Sequence, residues 1–478
     1  MTPTRHPQAR PPGARMVTPP ETDTLQESLY AKRIEIYPRE VHGRFAVLRV
    51  SFVALTLGIF YGLPWINWGP QRQAFLIDLP GHKFHLFAWT FYPQDLFYLT
   101  TILIISALSL FLFTAVWGRV WCGFTCPQTV WTEMFLWIER QIEGDRARQM
   151  RLAGQSWNRE KLIKRGMKHG VWILLSLWTG FSFVGYFTPI RELSQALAPF
   201  NWGPWESFWV LFYGFATYGN AGWLREQVCL YMCPYARFQS AMFDPNTLVI
   251  SYDKARGEPR GARARRTVAA DAGLGSCIDC SLCVQACPTG IDIRYGLQYA
   301  CIACAACVDV CDSVMDKMGY AKGLIRYTTE NELNGKTHRL WRPRVLIYGG
   351  VLMTLTLGLV VAVLLRVPLR LELLHDRNQL YRETSDGFIE NVYSVKIINM
   401  DQRPHRYTLG VDGIDGARLV VDRNEIVVEP GQQLDFPARV QAPASAVPRR
   451  RTTLRLNAQA QDEPRLRADE QADRKSVV

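Results

Sequence analysis

Five apolar runs limit what this chain can fold into more than any other feature. Leu96–Val116 and Val345–Leu365 carry no charged side chain and match the ~20 residues that a bilayer's hydrocarbon core requires. Phe45–Ile66 tolerates Arg49 near one end, Val171–Ile190 is uncharged, and Phe208–Trp223 is shorter. Buried helices of a soluble protein rarely run so long without a charge. A mean hydropathy of −0.06 hides the pattern, because it averages these runs with very polar segments. All 15 Trp lie at or before Trp341, many at run edges, as an interfacial aromatic belt would place them. The chain reads as an α-helical polytopic membrane protein with about five transmembrane helices.

Lys and Arg set the expected orientation. They crowd the connection 118–168, from Arg119 through Arg140, Arg146 and Arg165 to Lys168, and the start of the segment 224–343, from Lys254 to Arg266. The other connections hold only Arg72 and Lys83, then Arg191. The N-terminus and both basic segments are therefore expected in the cytoplasm of a bacterial inner membrane protein. An odd number of spans carries everything after about residue 366 to the periplasm; loss of the short fourth run would invert that placement. The net charge of +12 reads as topology: it excludes an acidic solvating chain, and no nucleic-acid partner is expected. Residues 1–30, rich in Pro and Arg and without an apolar core, read as a disordered cytosolic tail. The four-helix membrane domain is expected over 31–245 and the fifth helix over 344–366.

All 12 Cys lie between Cys122 and Cys311, too few and too clustered for a secreted disulfide scaffold. Eight form two runs, Cys277-x2-Cys280-x2-Cys283-x3-Cys287-Pro288 and Cys301-x2-Cys304-x2-Cys307-x3-Cys311. This is bacterial ferredoxin spacing, twice. Three thiolates of each run wrap one [4Fe–4S] cube, and the fourth reaches the other. Cys277, Cys280, Cys283 and Cys311 are assigned to one cluster, and Cys301, Cys304, Cys307 and Cys287 to the second. Structural zinc prefers two more widely spaced Cys-x2-Cys pairs. Asp312 stands where Pro is usual after the last Cys. A cytoplasmic ferredoxin-like 2[4Fe–4S] module, a relay for single electrons, is thus expected over 246–343.

The other four thiols repeat one motif: Trp121-Cys122-Gly-Phe-Thr-Cys126-Pro127 and Val228-Cys229-Leu-Tyr-Met-Cys233-Pro234. The repetition reads as duplication of a membrane hairpin. Thiols at i and i+4 share a helical face, and the following Pro ends or kinks the helix, so the pairs are expected in a last turn at the cytoplasmic membrane edge. Four soft thiolates, with Met232 nearby, suit Cu(I), zinc or iron–sulfur; inert packing and a disulfide relay are the alternatives. Thiolate ligation favours Cu(I) over Cu(II), so a cluster relay ending there would make a cupric reductase. No His lies inside the five runs, which disfavours a b-type haem. His82 and His85, in an outer loop, read as interfacial side chains.

After Leu365 the character changes. Alternating runs at Val392, Tyr407, Ala417, Glu425 and Thr453 are separated by Asp412-Gly413, Asp415-Gly416 and Pro430-Gly431, which predicts about seven short strands in an immunoglobulin-like β-sandwich over 367–461. The charged stretch 462–478 reads as a disordered tail.

The stretches Arg119–Glu139, Gly185–Leu193, Tyr218–Gly261 (through QVCLYMCPYARFQSAMFD and RGEPRG), Ile278–Glu330 (through CPTGID and KMGYAKGLIRYTTE) and Ile397–Tyr407 closely resemble the CcoG/RdxA/FixG family. The resemblance covers most of positions 30–410 and implies a membrane-bound two-cluster ferredoxin, a cupric reductase linked to assembly of the cbb-type cytochrome c oxidase. It maps the family's cluster Cys and both membrane Cys pairs onto the positions above. Copper as substrate, a copper transporter or chaperone and the oxidase subunits as partners all follow from the resemblance. Ala300 and Ala303 depart from an expected Glu and Gly, which bears on potential but removes no ligand. Two other functions stand beside it: a quinol-linked electron-transfer subunit for a periplasmic reductase, and a non-enzymatic oxidase assembly factor or redox sensor. The electron donor is expected in the cytosol, and a homodimer is left open.

Overall fold

Among the described residues of the computed structural model, three helical segments are long and apolar enough to cross a membrane: Arg44–Trp65, Leu96–Trp117 and Pro343–Leu364. The structure describes residues 35–478 except 70–71, 198–200, 265–272, 376–381, 402, 423–424, 447–453 and 472–478. The tail expected at 1–30 lies outside the described residues. The chain divides into two units, Met1–Trp65 with Ser106–Leu352, and Ile66–Ile105 with Met353–Val478.

In the first unit, α1 (Arg44–Gly62) precedes the latter part of α2 (Leu96–Trp117), the short α3 (Val120–Phe124) and α4 (Pro127–Glu143). The expected third and fourth spans take a different form from the apolar runs. The third run falls in α5 (Arg159–Val184), which starts well before the run and stops at Gly185, short of Ile190. Its basic beginning is helical because Lys168 is buried against Glu139 and Glu143 of α4, at 3.1 and 2.9 Å. The fourth run falls in α6 (Pro204–Thr217), only 14 residues long but continued by a π-helical segment, Tyr218–Leu224. The two helices meet at Gly180, where an added Cβ would lie 2.2 Å from the Val210 carbonyl oxygen, so any larger residue would push them apart.

The rest of the first unit contains α7 (Pro234–Met242), the antiparallel pair Val249–Tyr252 and Ile325–Thr328, α8 (Leu282–Ala286) and α9 (Ala306–Met318). Ile250, Val308, Met315 and Ile325 share its core with Cys277, Cys283 and Cys304. Buried Asp309 of α9 accepts hydrogen bonds from the Ala46 and Phe45 backbone N–H groups at 2.7 and 3.3 Å. A carboxylate from the cysteine-rich part thus caps the positive end of the first apolar helix.

The second unit holds a three-stranded antiparallel meander, Phe75–Asp78, Lys83–Leu86 and Trp89–Phe91, where the sequence reading expected only a loop. His85 lies 3.0 Å from Thr90 Oγ1, and burial lowers its pKa to about 4. At the exit of α10 (Pro343–Leu364), Arg366 donates to Asp95 at 2.5 Å and to the Thr90 carbonyl at 3.0 Å.

The C-terminal part is a two-sheet antiparallel sandwich. Its strands are β1 (Leu369–His375), β2 (Arg382–Glu383), β3 (Phe388–Asn399), β4 (His405–Asp412), β5 (Arg418–Val421), β6 (Ile426–Val428), β7 (Gln433–Pro443), β8 (Arg455–Ala460) and β9 (Arg467–Gln471). One sheet has the order β5-β7-β3-β1, with β2 also paired to β3; the other runs β6-β4-β8-β9. From β3 to β8, successive strands alternate between sheets. Inward residues follow period two, as Phe436, Ala438, Val440 and Ala442 do on β7. The stretch expected as a tail after 461 is corrected: Arg467–Gln471 pairs with β8, from Gln459↔Arg467 to Arg455↔Gln471. Its charged side chains suit an edge strand, which resists pairing with other chains.

His405 is buried between two carboxylates, Nδ1 2.6 Å from Asp462 and Nε2 2.8 Å from Asp401. Burial opposes its charge, but hydrogen bonds to both carboxylates outweigh this and raise its pKa above the ordinary 6.5. The stabilisation is full below the unfolded pKa of about 6.5 and is lost as pH rises through the higher folded value. His405→Gln should flatten the pH dependence of sandwich unfolding above pH 6 on the full chain; an unchanged slope would contradict the clamp.

Candidate iron–sulfur and thiol sites

The two Cys-x2-Cys-x2-Cys loops repeat one backbone. Asp279 and Ser281 in the first, and Ala303 and Ala305 in the second, all adopt positive φ, between 55 and 59°. These are equivalent positions. Left-handed residues between thiols turn backbone N–H groups inward, the concave arrangement that holds anions and iron–sulfur clusters. One such bond is present, from Ala303 N–H to Cys301 Sγ at 3.4 Å.

Each loop opens on its own small cavity. Cys277, Cys280, Cys283 and Cys311 line one, together with Arg294 and Leu324. Cys287, Cys301, Cys304 and Cys307 line the other, which Cys283 also borders. The fourth Cys of each run thus stands beside the other run's triplet. Burial pushes the Cys283 and Cys301 thiols up to about 12 and Cys304 to about 11. Without iron these loops favour neutral thiols, so cluster loading must expel protons. Among the described residues no three His, Cys, Asp or Glu side chains close on a single metal-ion point. A cuboidal cluster spreads its four thiolates more widely than one ion does, and the donor set fits it.

The second motif class departs from the expected α-helical last turn. After α2 ends at Trp117, Cys122 sits in α3, and Cys126 is the N-cap of α4 with Pro127 in its first turn. Cys229 sits in the π-helical turn Val228–Met232, and Cys233 is the N-cap of α7 with Pro234 in its first turn. In both copies the second Cys donates its N–H five residues back: Cys126 to Trp121 at 3.0 Å, Cys233 to Val228 at 2.8 Å. The duplication is therefore geometric, a π-type turn entering a new helix. Pro starts the next helix here as well as ending the previous turn.

The four thiols are neighbours. Burial pushes Cys122 up to about 11 and Cys229 up to about 12, and raises Cys126. In each case other members of the four add to the rise, because thiolates placed together repel. Buried Gln239 of α7 donates to Cys122 Sγ at 3.2 Å, joining the first pair to the helix that follows the second. Cys229 also borders a cavity of about 460 Å³ whose wall includes Cys304, Arg49 and Glu133.

Gly123 brings the two chemistries together. An added Cβ there would lie 2.7 Å from the Ile302 carbonyl oxygen and 2.8 Å from Ala303. The turn bearing Cys122 therefore packs backbone to backbone on the loop bearing Cys301 and Cys304. Nearby, buried Arg119 donates to the Cys301 carbonyl at 3.2 Å and to the Ala236 carbonyl of α7 at 3.0 Å.

The "4Fe-4S dicluster domain" model matches residues 224–330, the "4Fe-4S binding domain" model matches 99–143, and the "IG-like fold at C-terminal of FixG" model matches 359–474. The chain is 40% identical to nitrogen fixation protein FixG of Rhizobium meliloti over 429 residues, covering 82% of each. It is 42% identical to protein RdxA of Cereibacter sphaeroides over 413 residues, covering 83% of this chain and 86% of the relative. The chain belongs to the FixG/RdxA family. FixG/RdxA membership and the 4Fe–4S domains point to iron–sulfur electron transfer. The match at 99–143 contains Cys122 and Cys126 and no other Cys.

The sequence reading missed the charge network behind the thiols. Glu139, fully buried, pairs with Lys168 and with Arg225 at 2.7 Å, and Arg225 precedes the second thiol turn. Breaking such a network strands a buried charge at about 3–5 kcal/mol. Lys168→Met should lower stability by about that amount in detergent unfolding; a change within error would refute the pairing. Gly123→Val should force the 302–303 loop away at about 1–3 kcal/mol. Its expected signature is an altered EPR signal from one cluster with the other intact, and identical spectra would refute the contact.

Proposed function

We propose that this chain is a membrane oxidoreductase that reduces Cu(II) to Cu(I) at Cys122, Cys126, Cys229 and Cys233, during assembly of a cbb-type cytochrome c oxidase. In this reading the chain crosses the membrane five times, with the cysteine-rich part in the cytoplasm and the sandwich in the periplasm. The Gly123 contact carries it: the thiol turn and the second cluster loop are in direct backbone contact. Bound at Cys277, Cys280, Cys283 and Cys311 and at Cys301, Cys304, Cys307 and Cys287, two [4Fe–4S] clusters would supply one-electron reduction from a cytosolic donor. The chain's own residues do the rest. The cavity beside Cys229 gives a small ion a route to the thiols. Binding of copper, the substrate, displaces the thiol protons that burial otherwise retains. Each Cu(II) takes up one electron, and soft thiolates favour the cuprous product. A copper transporter or chaperone would deliver or collect it.

A second reading keeps the relay and gives the four membrane thiols an iron–sulfur cluster of their own. It is favoured by the 4Fe–4S binding match over 99–143, where Cys122 and Cys126 are the only thiols.

Anaerobically prepared full-length chain should carry about eight iron atoms and form the coloured complex of a Cu(I) chelator when supplied with reductant and Cu(II). The Cys122→Ser/Cys229→Ser double variant should keep its iron and lose at least about ten-fold in rate. Full activity in that variant removes the thiols from the reaction. Loss of about four of twelve iron atoms supports the second reading instead.

A further inference from the structure

The two cluster loops share one backbone but not one electrostatic setting. At the first, Arg294 borders the cavity of Cys277, Cys280, Cys283 and Cys311. Its charge is matched by Asp292, at 2.6 Å, and by Asp279. The nearby Arg260 is likewise matched, by Glu258 at 3.6 Å and Asp279 at 3.8 Å. Asp312 follows Cys311 directly and adds a further negative charge.

At the second loop the balance is reversed. Arg49 of α1, buried, donates to the Cys304 carbonyl at 2.8 Å. Arg119, also buried, donates to the Cys301 carbonyl at 3.2 Å. No carboxylate pairs with Arg119 among the described residues. Glu133 lies 3.9 Å from Arg49 but is shared with Arg140 at 3.7 Å. Asp309 is turned to the N-terminus of α1, whose backbone N–H groups and dipole offset it.

Resting on the two-cluster reading above, we propose that Arg49 and Arg119 are positioning residues that set the potential of the second cluster and give it the higher midpoint of the two. Adding an electron to a cluster held by four thiolates makes it more negative, so nearby fixed cations favour the reduced form. Solvent access works the other way: Cys280 is exposed, whereas Cys301 and Cys304 are buried, and water favours added charge at the first loop. The cations prevail, because both guanidiniums are buried and bond directly to the carbonyls of ligand residues themselves. An electron therefore rests preferentially on the loop that packs against Gly123 and the thiol turn.

The test is an anaerobic potentiometric titration of the full chain followed by EPR. Two midpoints are expected. Arg49→Met and Arg119→Met should each lower the higher one, Arg49→Lys should restore most of it, and Arg294→Met should lower only the other. Glu133→Gln, a mild change that leaves both guanidiniums in place, should raise the higher midpoint and keeps the test open should the Met variants fail to assemble. If Arg49→Met, Arg119→Met and Glu133→Gln leave the higher midpoint unmoved, or move the one that Arg294→Met moves, the proposal is wrong. Absence of either cluster signal in the unaltered chain would instead overturn the two-cluster reading.

Discussion

Arg119 stands one residue before α3 and holds together three segments that are far apart in the chain. Its guanidinium donates to the carbonyls of Tyr299 and Cys301 in the second cluster loop and to Ala236 in α7. It also lies over the rings of Tyr299 and Phe243, at 5.0 and 5.8 Å from their centroids. Hydrogen bonds from a charged donor contribute about 1.5–3 kcal/mol each, and leaving such a charge buried without them costs more. The position of the cluster loop against α7 and the first thiol turn therefore depends on this side chain finding these three carbonyls at once. Gly123 adds the steric condition, since only a residue without Cβ lets the backbones touch.

A second buried charge group supports the first. Glu139 and Glu143 on α4 face Lys168 on α5, Arg165 reaches Glu143 at 3.4 Å, and Arg225 joins from the π-helical region. Trp172 lies under both Lys168 and Arg225, at 4.9 and 5.5 Å. These contacts fix α4, whose N-cap is Cys126, relative to the turn that carries Cys229. The two thiol pairs thus owe their proximity to charges placed well outside the motifs.

Much of this was legible from residue patterns because the responsible physics is local. Spacing alone brings the fourth Cys of each ferredoxin run to the other run's triplet, and period-two alternation marks strands such as Leu456-x-Ala458-x-Ala460. The features that escaped are set by partners distant in sequence. The basic first half of α5 looks like a loop until Glu139 and Glu143 neutralise it. Proline marks the boundary after Cys126 and Cys233 but says nothing of a bond reaching five residues back to Trp121 or Val228. Strand β7 was hidden by Pro437, which lacks a donor N–H but is tolerated opposite Ser394. The last strand carries Arg467, Asp469 and Glu470, a composition that reads as disorder yet suits a sheet edge.

In the function we propose, electrons held at the cysteine-rich loops reach Cys122, Cys126, Cys229 and Cys233 and leave on copper. Stopped-flow mixing of anaerobically reduced, reductant-free chain with excess Cu(II) tests it in a single turnover. Both clusters should regain their oxidised absorption while about two Cu(I) per chain appear, one per stored electron. Clusters that stay reduced, or that reoxidise without releasing Cu(I), would contradict the account.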